Sequence, residues 1–413
     1  MRHTWLSWMW GLMLVLLASC GDGDEPVVPG PGPDGPDYPD LPDVSPAKRT
    51  VLIYFAADNN LASFARTDLE EAKAGLLAST VEGAHLLVYC DFGGDARLIE
   101  LVKEGDTVSE KVIREYGERN STGVDETRAV FADVFTDPDY EAESYALVYW
   151  SHADGWIPYP VPSTRWIGQD RGEGDNRMNL ADFVSTLEGM PHFDFIYFDA
   201  CFMQSIEVAY ALRDYADYYI ASPTETPGTG APYERIMSAL LTKDAALDIA
   251  DIYYQTYHTY YTGTTVGSPN NTTETWGAGA AICAVSTAEL ESLAALTNQL
   301  LPEETVSVDE LQELVFDYDK RGRLSYIGYY DWDDMMQALL DEADYATWRQ
   351  AFDAAVPYYS TTPKNFSSSA GMFSMGGTSG VSHYIPQSLT SEAAAAYRTT
   401  EWYEAAGLAK LGW

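Results

Sequence analysis

Two short apolar runs set the strongest limit on how this chain can fold. Tyr145-Ala-Leu-Val-Tyr-Trp150 leads into Ser151-His152, and Phe193-Asp-Phe-Ile-Tyr-Phe198 leads into Asp199-Ala200-Cys201. Aromatic and β-branched residues in so short a run predict a strand buried on both faces, as in a parallel sheet covered by helices. The residues that follow emerge at the carboxyl edge of that sheet, where open α/β folds bind ligands. One run delivers an imidazole to that edge and the other a thiol.

The remaining pattern alternates strands with amphipathic helices. Thr50 to Ala57 is predicted as a strand, Ala62 to Leu77 as a helix, and His85 to Cys90 and Arg97 to Val102 as strands, the second an antiparallel excursion. Glu126 to Phe135, Asn179 to Glu188 and Met203 to Arg213 read as helices, while Asp217 to Ala221 and Gly277 to Val285 complete the sheet. The fold class is α/β, a mostly parallel sheet flanked by helices on both faces. Helical stretches at Thr287 to Leu301, Val308 to Tyr318, Trp332 to Leu340 and Asp344 to Val356 precede a short strand near Val381 to Ile385. They form a mixed, largely helical C-terminal extension packed on the main domain.

The first residues carry a basic start and an apolar stretch from Leu6 to Ala18, too short to span a bilayer and typical of a signal peptide, here residues 1–19. Leu16-Leu-Ala-Ser-Cys20-Gly21 resembles the lipobox of bacterial lipoproteins, which implies a lipid on Cys20 that holds the protein to a membrane. Residues 20–48 are Pro-, Gly- and Asp-rich and cannot bury a core, so they read as a disordered tether. The main domain is expected over 49–286 and the extension over 287–413. The acidic Gly21-Asp-Gly-Asp-Glu25 after the cysteine resembles a surface-export signal. The expected location is the cell envelope, as an outer-membrane lipoprotein facing the periplasm or the exterior.

There are 24 basic and 63 acidic residues, a net charge of -39, which excludes nucleic acid and anionic membrane surfaces as partners and favours cationic peptides. A soluble monomer is expected beyond the anchor. With Cys20 assigned to lipid, Cys90, Cys201 and Cys283 remain, an odd number without metal-like spacing. Neither a disulfide framework nor a metal site is expected. Cys90 and Cys283 lie inside apolar strands and read as small buried hydrophobes.

A thiolate is the reactive form of cysteine, and a nearby imidazole both activates it and can protonate a leaving group. Cys201 precedes a predicted helix start, which places its thiol at the positive end of a helix dipole and frees its backbone N–H as an oxyanion donor. His152 lies in the polar loop Trp150-Ser-His-Ala-Asp-Gly-Trp156, and His383 is the one other histidine suited to the role. The order His then Cys, about 50 residues apart on successive strands, is that of the caspases.

At these residues the chain resembles a known family. Val51-Leu-Ile-Tyr-Phe-Ala-Ala-Asp-Asn-Asn-Leu61, Ser151-His152 with Gly155-Trp156, Ile167-Gly168 with Asp170, Phe193 to Glu207 and Pro227-Gly-Thr-Gly230 are similar to the clostripain family of cysteine peptidases, in the caspase and gingipain clan. Weaker echoes occur at Asp331-Trp-Asp-Asp and Ser382 to Pro386. The resemblance implies a caspase-like fold and a His152/Cys201 dyad in a cysteine endopeptidase acting on proteins or peptides. It implies an oxyanion hole from the N–H groups of Ala153, usually glycine in the family, and Cys201. Cleavage after Arg or Lys follows by the same likeness, with Asp199 and Thr229 at the specificity positions; Thr229 stands where the family commonly has an acid. Asp58 and Asn59, on the same sheet edge, are candidates for binding substrate or for capping the next helix.

Some relatives cut themselves between the dyad residues, and Arg165, Arg171 and Arg177 are the candidate sites here. Calcium dependence occurs in the family, although no EF-hand spacing is present and no cofactor is required. Two other readings of the residues stand beside the peptidase: a catalytically silent surface lipoprotein of the same fold, and a glycan-binding lipoprotein using the many Trp and Tyr residues.

Overall fold

Strand β1 (Arg49–Ala56) runs through the middle of a nine-stranded sheet with all eight of its residues buried. Its neighbours β2 (Ala84–Asp91) and β5 (Tyr145–Trp150) run parallel to it. β5 pairs in parallel with β8 (Phe193–Asp199), and β8 with β9 (Ala216–Ala221). Antiparallel strands extend both sides: β3 (Ala96–Glu104) and β4 (Thr107–Gly117) beyond β2, and β10 (Ala281–Ser286) and β12 (Tyr358–Thr361) beyond β9. Among the described residues three small sheets complete the strands. They pair β6 (Ile167–Asp170) with β7 (Asn176–Met178), β11 (Tyr329–Asp331) with β15 (Ser382–Tyr384), and β13 (Lys364–Ser367) with β14 (Gly371–Ser374).

This computed structural model describes residues 48–158, 166–172, 174–264, 272–320 and 328–413. They belong to one compact unit, Pro46–Trp413. The signal peptide, Cys20 and most of the tether lie outside the described residues, as does Arg165. Among the described residues no helix is long and apolar enough to cross a membrane.

The pleat divides the apolar runs between two cores. Leu52, Tyr54, Leu147, Tyr149, Ile196 and Phe198 face one layer with α2 (Val124–Phe135) and α3 (Leu180–Thr186). Val51, Ile53, Phe55, Ala146, Val148, Phe195 and Tyr197 face the other, with α1 (Ala62–Ala78), α5 (Tyr233–Leu240) and α6 (Ala246–Tyr260). Tyr54 stacks between Tyr89 and Tyr149, at 4.4 and 5.3 Å between ring centroids. α1 and α5 touch closely because residue 75 is glycine: a Cβ there would lie 2.7 Å from Met237 Cβ.

The parallel block and its antiparallel excursion match the sequence expectation. β4 was not anticipated, since its apolar residues Val108, Val112, Ile113 and Tyr116 keep no strict alternation and are interspersed with Glu110, Lys111 and Arg114. Such charges suit an edge strand, where they discourage pairing with another chain. Beyond residue 286 the helices α7 (Leu290–Leu300), α8 (Val308–Leu314), α9 (Trp332–Leu339) and α10 (Glu342–Ala355) fall close to their expected places. The segment after them does more than pack on the domain, because β12 extends the main sheet.

Candidate functional site

β5 and β8 are adjacent and end at the same level, Trp150 opposite Asp199. Beyond β5 the Ser151 hydroxyl donates to the Ala56 carbonyl at 2.6 Å and accepts from Gln169 N–H at 3.1 Å. These bonds end the strand and turn His152 off the sheet. Strand β6 then holds the loop: Gly168 N–H donates to the His152 carbonyl and Asp154 N–H to the Trp166 carbonyl, each at 2.9 Å. Ala153, bridged to Ile167 between those bonds, does not use its own N–H in the bridge. Its backbone is not in the left-handed region, so alanine fits where a glycine would.

His152 Nε2 lies 2.9 Å from the Asn60 side-chain oxygen. An amide oxygen can only accept, so Nε2 carries the proton and Nδ1 keeps its lone pair. Trp166 stands edge-on to the ring at 6.2 Å. Burial, then the charges of Arg171 and Arg177, lower the imidazole pKa to about 4. Cys201 Sγ lies 3.5 Å from the Thr226 hydroxyl and accepts from Thr226 N–H at 3.3 Å. Burial, then the Glu225 carboxylate, pushes the thiol up to about 12, against the pull of those Thr226 donors. Thiol and imidazole are therefore both held neutral at rest.

After Cys201 the chain passes through left-handed Phe202, whose N–H donates to the Thr224 carbonyl at 3.0 Å. Helix α4 (Ile206–Ala211) starts only at residue 206, with Ser205 accepting from Val208 N–H. The expected helix from Met203 is shorter, and Cys201 does not sit at its first turn. Hydrogen bonds to Ser222, Thr224 and Thr226, in the segment after β9, replace the dipole as what fixes this turn.

The two residues line one cavity of about 360 Å³. Ala153, Asp199, Thr226, Pro227, Gly228 and Gly230 share its lining, and Leu61, Trp276 and Phe366 give it apolar walls. Asp199 Oδ2 accepts from Ala231 N–H at 2.7 Å and the Tyr233 hydroxyl at 3.1 Å, whereas its buried Oδ1 has no partner. Burial raises this carboxyl to about 6.

Other sequence candidates lie beside the cavity rather than in its lining. The Thr229 hydroxyl faces Tyr257 OH at 2.9 Å. Asn59 donates to the Gln169 carbonyl at 2.8 Å and accepts from Leu61 N–H at 2.8 Å, tying β1 to β6 and the start of α1. The Asp58 carbonyl accepts from Arg171 N–H at 2.7 Å. Arg171 is exposed. Arg177 pairs with Asp175 at 2.6 Å and stacks 4.5 Å over Trp166. Asn60, next to two residues the sequence singled out, was missed, as were Thr226, Trp276 and Phe366, which no local pattern connects with His152.

Cys90 and Cys283 are buried free thiols in β2 and β10. Among the described residues no three His, Cys, Asp or Glu side chains converge as metal ligands.

Comparison with known proteins adds to this geometry. Residues 53–404 match the Clostripain family, Peptidase_C11. The chain belongs to the clostripain family. A secreted C11 cysteine protease from Bacteroides thetaiotaomicron, solved with an irreversible peptide inhibitor, is 40% identical over 88% of this chain and 99% of its own, with a TM-score of 0.78. An inactive zymogen C11 protease from Parabacteroides distasonis is 30% identical over 88% of this chain and 99% of its own, with a TM-score of 0.74. A cysteine protease from B. fragilis is 39% identical over 60% of this chain and 99% of its own, with a TM-score of 0.53. No curated protein matches. This clostripain-family chain is a cysteine peptidase with the caspase-like fold of its relatives.

Proposed function

We propose that the protein is a lipid-anchored endopeptidase in which His152 and Cys201 form the catalytic dyad, cutting after Arg or Lys. One observation carries this proposal: an imidazole, a thiol and a carboxylate with an unpartnered buried oxygen line a single cavity at adjacent strand ends. In the first step Cys201 Sγ bonds to the substrate carbonyl carbon while its proton passes to His152 Nδ1. The carbonyl oxygen takes the displaced electron pair and is met by the N–H groups of Ala153 and Cys201. The C–N bond then breaks as the imidazolium protonates the leaving amine. Water attacks the thioester, gives a proton to His152 and releases the acid, and the thiol is restored. A neutral starting pair suits this order, because burial of both groups disfavours separated charges until the substrate arrives.

Asp199 Oδ1 offers an anionic partner to an entering guanidinium or ammonium group. Labelling by a peptidyl-Arg acyloxymethyl ketone, lost in Cys201→Ala, is the expected result. A positional-scanning library should show Arg or Lys before the cut. No turnover of any library peptide, with or without calcium, would overturn the proposal in favour of a silent binding protein.

Latency belongs to the same proposal. Trp166 stands against the His152 ring and Thr226 engages the Cys201 thiol, and the Parabacteroides relative is described as an inactive zymogen. Self-cleavage after Arg165, Arg171 or Arg177 would release the loop carrying Trp166 against the imidazole. Wild type should yield two fragments and Cys201→Ala one chain; identical patterns would refute self-processing. Export is supported by the secreted Bacteroides relative, and mass spectrometry of the mature N-terminus tests for lipid on Cys20.

A further inference from the structure

Beneath the cavity lies a second carboxylate, with no role in the steps described so far. Asp68 sits on α1 in the buried stripe of Ala65, Leu69, Ala72 and Leu76, at a position where an amphipathic helix normally places an apolar residue. It is 1% exposed, and its Oδ2 has no hydrogen-bond partner. Gly230 separates it from the cavity. A Cβ on residue 230 would collide with Asp68 Oδ2 and lie 2.9 Å from Trp150 Nε1 and 3.1 Å from Asp199 Oδ2. Trp150, Asp199 and Gly230 all line the cavity. Because residue 230 has no side chain, both carboxylates border the same small volume at the cavity floor.

Two buried carboxylates this close repel each other, and the cost is relieved only when one takes up a proton or a cation joins them. Burial, then the Asp199 charge, raises Asp68 well above the usual carboxylate range, with the Trp150 indole N–H offsetting part of it. No Lys, Arg or His side chain among the described residues contributes to the environment of either acid. The turn Pro227–Gly230 supplies no acid, since Thr229 faces Tyr257. α1 supplies one from the opposite side.

We propose that Asp68 is a specificity-determining residue: with Asp199 it forms a two-carboxylate floor that takes up the positive end of a substrate Arg or Lys side chain. This rests on the basic pocket proposed for Asp199. The test compares matched peptides carrying Arg or its neutral isostere citrulline before the cut. Wild type should favour Arg. In Asp68→Asn, shown to be folded by circular dichroism, the Arg-to-citrulline ratio of kcat/KM should fall about tenfold, as expected for losing one partly screened charge, and the change should appear in KM. If that variant does not fold, Asp68→Ser is read the same way. A ratio within about twofold of wild type, or a loss confined to kcat, would overturn the role of Asp68. A wild-type enzyme indifferent to Arg over citrulline would instead overturn the basic pocket itself.

Discussion

Two regions of the molecule hold the same pair of residue types, a histidine and a buried aspartate, in opposite conditions. In the C-terminal region His383 is fully buried with both nitrogens engaged, Nδ1 with the Tyr384 carbonyl at 2.9 Å and Nε2 with the Tyr397 hydroxyl at 3.2 Å. Asp331 accepts from Tyr318 OH, Ser379 N–H, Ser379 OH and Asp334 N–H across both oxygens. Beside the cavity, His152 bonds Asn60 through Nε2, and Asp199 leaves one oxygen orphaned. Burial raises both aspartates to about 6, so pKa alone does not separate them. What separates them is satisfaction: a completed network holds a fold together, and an incomplete one facing a cavity waits for a ligand.

The largest test of that contrast is Cys201, the proposed nucleophile. Cys201→Ala should lower peptide turnover by roughly 10⁵-fold or more while leaving the thermal midpoint nearly unchanged. Asp331→Ala should do the reverse, costing about 3 kcal/mol in denaturant unfolding because buried donors lose their acceptor. If Asp331→Ala impaired turnover without destabilising the fold, the contrast would break.

Asp199→Asn should reduce kcat/KM for Arg substrates by roughly 100-fold, as for removal of one buried charge from a cation's partners. Its thermal midpoint should hold or rise, since an uncompensated buried charge is removed. The pH profile sharpens the assignment. Asp199 loses its proton as pH rises through about 6, whereas His152 is already neutral above about 4. Hence kcat/KM for an Arg substrate should climb through about pH 6 in wild type, and Asp199→Asn should shift that limb towards 4.

Asn60→Ala should cost about tenfold to 100-fold in kcat by freeing the imidazole to choose the wrong tautomer. An unchanged rate would mean that the Asn60 contact serves only the resting state.

The smallest effect concerns stability. Burial lowers His383 to about 3, so between that value and 6.5 the unfolded chain binds the extra proton. Stability from this group is complete above pH 6.5 and is lost as pH falls towards 3. His383→Gln should flatten the slope of stability against pH in that window, read from urea midpoints, with turnover altered far less than by any change at Cys201.

The parallel strands and the positions of His152 and Cys201 were legible because buried strands need continuous apolar composition, and that composition stops abruptly where the chain leaves the sheet. The C-terminal helices were legible from their period. β4 was not, because its few apolar residues do not alternate strictly and are outnumbered by polar and charged ones, and β12 was hidden because four half-buried residues carry too little pattern. His383 looked like a spare catalytic group, since a histidine in sequence does not reveal whether both nitrogens will find partners.

By itself, then, the sequence determined the parallel part of the sheet, the order of His152 and Cys201 along it, and the family to which the chain belongs. Those properties reside in contiguous residues whose burial or reactivity follows from their own chemistry. Only the tertiary structure decided that Asn60 holds His152, that Thr226 holds the thiol, that Thr229 turns to Tyr257, and that Asp68 lies under Gly230 beside Asp199. Each of these depends on segments distant in the chain meeting at one strand edge, where hydrogen-bond geometry and the absence of a single Cβ set the outcome.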